Sequence, residues 1–270
     1  MTHEEFLQVL EAYYREHGRH DLPWRSPEPD GTFDPYKILV SEVMLQQTQV
    51  ARVVPKYAAF LERFPDIASL AAASMGDVLR VWQGLGYNRR AKYLWQTAQQ
   101  VTSECAGQLP DGAKALEHLP GIGRNTAGAL LAYAFNKPAL FIETNIRTVY
   151  IHHFFRDHID VPDQAILGLL EQTLDRVNPR EFYWALMDYG SYLKQTVGNL
   201  SRASRGYIKQ SQFHGSRRQI RGQILRQLAA GPQTKLTLER QVADERLAPV
   251  LESLKREGLI CKTGGRYRLP

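Results

Sequence analysis

The apolar spacing of an α-helix recurs along most of this chain while strand patterning is nearly absent before residue 258, which limits it to a mainly α architecture. Asp34-Pro35 marks one helix start, because an aspartate satisfies free N–H groups and a proline at N1 sacrifices none. That helix is expected to reach Gln46, with Leu39, Val40, Val43 and Met44 on its apolar side. Thr48 is placed to cap a second helix ending near Phe64. Further helices are expected from Asp66, from Ser74, and over 88–104, 124–135, 144–155, 163–177 and 180–194, joined by an amphipathic helix at the N-terminus. No apolar run approaches the roughly 18 residues that a membrane helix needs, so no membrane partner is expected. The opening MTHEEFLQVLEAYY carries acids where a secretory signal carries bases, and the two cysteines, Cys105 and Cys261, leave little scope for a disulfide framework. A cytoplasmic location follows as the expectation.

The pattern changes near Gly215. Helices are expected over 217–228, 238–243 and 245–257, then strands over 259–261 and 266–269 joined through Thr263-Gly264-Gly265. Three helices followed by a two-stranded hairpin make a winged helix-turn-helix, with any small α/β packing module as the alternative. The net charge of +6 says less than its distribution. Between Asp188 and Glu239 there is no acid, while Lys194, Arg202, Arg205, Lys209, Arg217, Arg218, Arg221, Arg226 and Lys235 fall in that interval with Tyr207, Phe213 and His214 among them. Such a stretch suits a phosphate polymer, whose counterions it would release; a solvated basic linker is the alternative.

Two passages carry chemistry. In Leu119-Pro120-Gly121-Ile122-Gly123-Arg124 the glycines permit a tight hairpin with outward N–H groups, and the helix starting at Arg124 adds its positive end, a combination that suits a phosphate. Alone this motif is weak, since a loop closing on a glycine looks the same. Followed by Thr126-Ala127-Gly128-Ala129, which allows close helix packing, it resembles the helix-hairpin-helix of DNA repair enzymes. The second passage is Ser41-Glu42-Val43-Met44-Leu45-Gln46-Gln47-Thr48-Gln49-Val50. A carboxylate among apolar residues near a helix end is partly desolvated and kept protonated, available as an acid.

Residues 1–200 resemble the MutY adenine glycosylases, within the endonuclease III group. The resemblance rests on Leu22-Pro23-Trp24-Arg25, Tyr36-Lys37 leading to the Glu42 passage, Gly84-Leu85-Gly86-Tyr87, the hairpin, and Met187-Asp188-Tyr189-Gly190, all in family order apart from a few extra residues around 26–33. It implies a two-lobed helix-hairpin-helix glycosylase fold: one lobe from 1–24 and 138–212, a six-helix lobe from 25–137 holding the hairpin, and the winged helix over 216–270. Glu42 falls on the family's general acid, which protonates the extruded base. Asn145 falls on an asparagine that helps organise the site, Gln47 on the residue that intercalates with Thr48 beside it, and Tyr87 on the one that wedges beside the opposing base. Arg25 and Asp188 fall near the extruded base, which must leave the stack before its glycosidic bond is reachable. Gly121, Gly123, Arg124 and Thr126, with Arg202, Arg205 and Lys209, are expected to contact phosphates. The hairpin is also a candidate place for a monovalent cation.

The departures from the family are as informative as the matches. Glu143 stands where the family has an aspartate beside the developing sugar cation; the charge stays but the arm is a methylene longer, unless this is a surface glutamate capping near Thr144. Asn125 stands where bifunctional lyases have a nucleophilic lysine, and an amide cannot form a Schiff base. Family register puts Lys194, Ser201, Ser204 and Gln210 on the four iron-sulfur cysteines, so no cluster and no cofactor are expected, with basic residues 194–218 taking over phosphate contact. After residue 212 too little chain follows for the Nudix-like domain that helps most MutY proteins recognise 8-oxoguanine. Arg246, Lys255, Arg266 and Arg268 of the winged helix are placed to meet DNA, unless the wing contacts protein. Together these features imply a monomeric, monofunctional glycosylase of double-stranded DNA, with adenine in a purine mismatch as first choice. Thymine or uracil opposite guanine is the alternative target, and a non-catalytic DNA-binding regulator the alternative class.

Overall fold

The computed structural model describes residues 1–207, 209 and 212–270, and the chain is mainly α as expected. Its helices are α1 His3–His17, α2 Pro35–Leu45, α3 Val50–Arg63, α4 Ile67–Ala72, α5 Met75–Val81, α6 Arg89–Glu104, α7 Ala113–Glu117, α8 Arg124–Tyr133, α9 Thr144–Phe154, α10 Asp163–Thr173, α11 Pro179–Thr196, α12 Arg217–Ala230, α13 Lys235–Val242 and α14 Leu247–Arg256. Short 3-10 turns lie at Pro23–Arg25 and Leu200–Ala203. Strands β1 Gln233–Thr234, β2 Cys261–Thr263 and β3 Arg266–Arg268 form an antiparallel sheet in the order β1-β3-β2.

Local chemistry explains most boundaries and several departures from expectation. Asp34 Oδ1 accepts from the Tyr36 N–H at 2.8 Å, satisfying a free donor at the start of α2. Thr48 does not cap α3: Gln49 holds that place without a side-chain bond, and Thr48 Oγ1 accepts from Arg90 instead. Helix α10 stops at Thr173, short of 177, because Asp175 Oδ1 accepts from the Val177 and Asn178 N–H groups at 2.8 and 2.9 Å and turns the chain. Helix α13 begins three residues earlier than expected, where Thr234 Oγ1 accepts from Thr237 N. Thr234 also pairs with Arg266, so the expected hairpin gains a third strand. The order helix, helix, helix, hairpin is otherwise the expected one.

Two compact units emerge, one of Met1–Glu42, Pro110–His118 and Ile122–Lys209, the other of Val43–Leu109, Leu119–Gly121 and Gln210–Pro270. These differ from the lobes expected from sequence. Residues 25–42 join the first unit because the Arg25 guanidinium is buried against Asp188 of α11. Helix α8 belongs to it as well, with Tyr133 stacked on Trp184, and Phe141 in the loop after it stacks on Tyr183. The C-terminal module does not stand apart. Gly76 N donates to Pro270 O at 3.0 Å and Arg89 Nε lies 3.2 Å from Glu257, which ties the module to α5 and α6.

In the first unit, α9 and α11 pack closely enough that a Cβ on Gly190 would come within 2.4 Å of the Asn145 carbonyl oxygen. Gly128 does the same for α8, where a Cβ would meet Phe141 Cβ at 2.9 Å. Aromatic side chains fill the space behind: Phe6 of α1 lies against Tyr150, whose hydroxyl is hydrogen-bonded to Thr173 Oγ1. In the second unit α4 and α5 pack on α6, and the fully buried Trp82 donates Nε1–H to Gly86 O at 3.0 Å.

Candidate active site

Glu42 and Glu143 meet in the first unit. Glu42 sits on the last turns of α2, where Leu39, Val40 and Val43 are buried and the segment cannot rotate without exposing them. Protein surrounds its carboxyl while part of its surface stays open to solvent. Burial, then the charge of Glu143, pushes Glu42 up to about 8, with Arg25 opposing. Burial also raises Glu143, but Lys194 and Arg147 both face it and pull it back. The two carboxyls are coupled, so the more favourable arrangement keeps the proton on Glu42 and the charge on Glu143, where the cations are. Glu143 occupies the N-cap position of α9 yet makes no side-chain capping bond, which leaves its carboxylate for the site.

Three residues fix the backbone and amide around this pair. Asn125 Nδ2 donates to Ile142 O at 2.9 Å and its Oδ1 accepts from Ile142 N at 3.4 Å, which pins the residue preceding Glu143. Asn145 Nδ2 donates to Met187 O at 3.1 Å, and its Oδ1 accepts from Lys194 Nζ at 2.6 Å. Lys194 is the residue whose part the sequence concealed. It is half-buried, burial lowers its ammonium below the usual lysine range, and Glu143 opposes that shift. Its place on a family cysteine pointed only to a lost ligand; its spacing from Met187-Asp188-Tyr189-Gly190, two helical turns on, was the available signal.

Arg25 and Asp188 do come together, but as a closed pair. Arg25 Nη1 and Nη2 donate to Asp188 Oδ2 and Oδ1 at 2.7 and 2.9 Å, and Arg19 N and Nε add two bonds of 2.7 Å. Burial pushes Asp188 up, and the two arginines hold it below the ordinary carboxylate range. With its oxygens so occupied and 2% of its surface exposed, Asp188 anchors Arg25 and is not presented to a substrate. Arg25, over the Trp184 ring at 5.2 Å, acts on the carboxyl pair through its charge on Glu42.

In the second unit Gln47 and Tyr87 adopt left-handed backbone, φ +54° and +45°, which costs about 1–3 kcal/mol per residue unless neighbours hold it. Arg90 holds both. Its Nη1 donates to the carbonyls of Val43, Met44 and Gln46 at 2.8, 2.9 and 2.5 Å; its Nη2 donates to Thr48 Oγ1, Leu85 O and Gly86 O at 3.0–3.3 Å. A single 8%-exposed guanidinium thus braces the turns bearing both residues expected to enter DNA, a part that sequence inspection missed. In the hairpin, Thr97 Oγ1 donates to Pro120 O at 2.9 Å, and Gly121 at φ +75° has Tyr93 beneath it where a Cβ would lie. Gly123 has ordinary extended backbone and caps α8 with open space around it. Arg124 beside it is exposed, and Thr126 is half-buried.

Residues 40–171 match the family model of the HhH-GPD superfamily base excision DNA repair protein. An adenine DNA glycosylase of Mycobacterium tuberculosis is 33% identical, over 99% of this chain and 94% of that protein. The chain belongs to the adenine DNA glycosylase family. Family members from Buchnera aphidicola and Homo sapiens are each 36% identical, covering 72% and 69% of this chain. The chain spans about half the length of the Buchnera protein, 54%. Among solved structures, a thermostable thymine-DNA glycosylase superposes with a TM-score of 0.60 at 26% identity, over 70% of this chain and 86% of that one. An endonuclease III trapped in a covalent intermediate with DNA shares the fold, TM-score 0.54 at 18% identity, over 73% and 87%.

The positions expected from the resemblance to correspond to iron-sulfur cysteines carry other side chains, three of which lie among the described residues and are engaged in hydrogen bonds. Lys194 is bound to Asn145; Ser201 is buried and donates to Asn199 Oδ1; Ser204 is buried and donates to Asp163 Oδ1 at 3.3 Å. Gln210 lies outside the described residues. An amine and two hydroxyls already engaged in hydrogen bonds do not fit a group held by thiolates. The same segment is stitched to its neighbours by polar bonds: Val161 N to Ala203 O, Arg205 N to Val161 O, and Arg147 bidentate to Asp163 at 2.8 and 2.6 Å. Of the expected phosphate contacts, Arg202 and Lys209 are exposed, whereas the Arg205 guanidinium is paired with Asp160 at 2.7 Å. In the C-terminal module Arg246 is likewise paired, with Asp244 at 2.7 Å.

Proposed function

We propose that this chain hydrolyses the N-glycosidic bond of a mispaired or damaged base in duplex DNA, with adenine in a purine mismatch as its first substrate, and leaves the strand unbroken. The observation that carries this is the unequal pair of carboxyls: one kept protonated near neutral pH, the other flanked by Lys194 and Arg147. Such a pair does what base excision needs. Glu42 delivers its proton to the departing base as the bond to C1′ breaks, and the Glu143 carboxylate faces the cation left on the sugar. Water then adds to C1′ and gives up a proton, which restores the starting state. The longer arm of Glu143 is accommodated by a site in which Lys194 of the facing helix α11 bonds Asn145, two residues beyond Glu143 in α9.

The strand stays intact in this proposal because Asn125, whose amide is committed to the Ile142 backbone, supplies no amine. No iron-sulfur cluster takes part; the hydrogen bonds around Asp163 and Ser204 order the corresponding segment. Residues 216–270 act as a winged helix on double-stranded DNA, and the protein acts as a monomer. The structural similarity to a thymine-DNA glycosylase supports thymine or uracil opposite guanine as the second possibility. A regulator with no chemistry has no use for a buried, protonated Glu42. Single-turnover base release from duplexes carrying each mismatch, with adenine opposite guanine and 8-oxoguanine among them, decides between these. Adenine release is expected; release of only thymine or uracil moves the substrate, and release from none of the duplexes overturns the proposal.

A further inference from the structure

Arg218 of α12 connects the C-terminal module to Tyr87. Its Nη1 donates to the Tyr87 hydroxyl, and its guanidinium carbon lies 5.3 Å from the ring centroid. Arg90 lies 5.4 Å from the same ring, so the tyrosine is held by one guanidinium from α6 and another from the module. Helix α12 is itself fixed one turn further on. Arg221 bonds both oxygens of Glu257 at 2.7 and 2.6 Å, and Glu257 O accepts from Lys92 Nζ at 2.5 Å. Arg89 and Lys92 of α6, two and five residues beyond Tyr87, therefore close a polar clamp between the turn carrying that residue and the module. A tether that only neutralised phosphates would turn its arginines to solvent. Arg218 is instead spent on a tyrosine in a left-handed conformation, and Arg221 on Glu257, which Arg89 and Lys92 of α6 also hold.

We infer that Arg218 is a positioning residue for Tyr87, through which the C-terminal module takes part in recognising the base opposite the extruded one. This rests on the proposed function and on Tyr87 entering the duplex. Flat stacking of a phenol on a base depends on the ring's angle, and the angle is set by what holds the hydroxyl and flanks the face. With Arg218 gone the ring loses the donor to its hydroxyl and the guanidinium on its face, and samples other orientations, so opposing bases that differ at their edges are told apart less well.

The test uses the full chain and duplexes with 2-aminopurine opposite the target base, whose fluorescence rises when it is unstacked. Wild type, Arg218→Ala, Arg218→Lys, Tyr87→Phe and the Arg218→Ala/Tyr87→Phe pair are compared. The rise is expected to shrink in Arg218→Ala and in Tyr87→Phe, to recover in part in Arg218→Lys, and to be no smaller in the pair than in either alone. Discrimination between opposing bases in single-turnover release should fall in parallel by on the order of tenfold, as for side chains in direct contact. Tyr87→Phe keeps the ring and its packing, so the test stands even if Arg218→Ala folds poorly. An unchanged fluorescence rise in Arg218→Ala, or losses that simply multiply in the pair, overturns the inference. Fluorescence needs no chemistry: a chain that unstacks the probe but releases no base counts against the proposed function, and one that releases base with no effect of Arg218 counts against this inference alone.

Discussion

The ammonium of Lys194 donates to Asn145 Oδ1 across 2.6 Å, so one lysine of α11 orders the amide and sets a positive charge facing Glu143. Lys194→Ala removes a charge that favours ionised Glu143, and Glu143 then rises further above its usual 4.5. A base-release rate that requires the Glu143 carboxylate must then have its acid limb at higher pH. The expected outcome is that shift, with a slower single-turnover rate at neutral pH, on the order of 10- to 100-fold. Lys194→Arg should restore most of the limb position. An acid limb that does not move in Lys194→Ala contradicts the electrostatic part assigned to this residue.

Glu42 carries a stability signature as well as a catalytic one. Its folded value, about 8, lies above the 4.5 of an unfolded glutamate, so between these the folded state keeps a proton that the unfolded chain has released. Stability from this source is fully present below about 4.5 and is lost as pH rises toward about 8. Glu42→Gln removes the penalty. Relative to wild type it should gain on the order of 2 kcal/mol across that window, allowing for the solvent that reaches the carboxyl. Denaturant midpoints of the two proteins that stay parallel with pH would rule this out.

The closed Arg25–Asp188 pair makes the opposite demand. Asp188→Asn leaves a buried guanidinium without its counter-charge, and breaking such a pair costs about 3–5 kcal/mol. Thermal unfolding should show the loss directly. A small change would mean that Arg25 turns outward to water when released.

Arg90→Lys tests the brace under Gln47 and Tyr87. A lysine keeps the charge but lacks the fork that bonds six acceptors from two directions, so carbonyls at the end of α2 and in the Leu85-Gly86 turn lose their donors. A loss of about 2–4 kcal/mol in unfolding free energy is expected, together with weaker binding to duplex DNA. Wild-type stability in this variant would show that the turns hold themselves.

Much of this was legible in the sequence because the fold's signals are local: Asp34-Pro35, the Gly121 turn and the helical apolar spacing act over a few residues. Glu42 and Glu143 were legible too, as residue types in a familiar order. What the sequence concealed depends on contacts far apart in the chain. Lys194 and Asn145 are 49 residues apart and Arg218 and Tyr87 are 131 apart, and nothing in either neighbourhood names the partner. The extent of the first unit is concealed in the same way, since within it Arg25 is bonded to Asp188, 163 residues further along the chain. Asp188 was assigned to the substrate because its family position is near the extruded base, and only the four donors around it reveal an anchor.

The central claim is that Glu42 gives a proton to a departing base. Glu42→Gln keeps the size and hydrogen bonding of the side chain and removes the proton, so the direct measurement is its single-turnover rate of adenine release from a saturated mismatch duplex at neutral pH. A fall of about 10²–10⁴-fold with unchanged duplex affinity is the expected result, the range typical of a lost general acid. Release at the wild-type rate by Glu42→Gln would contradict the mechanism.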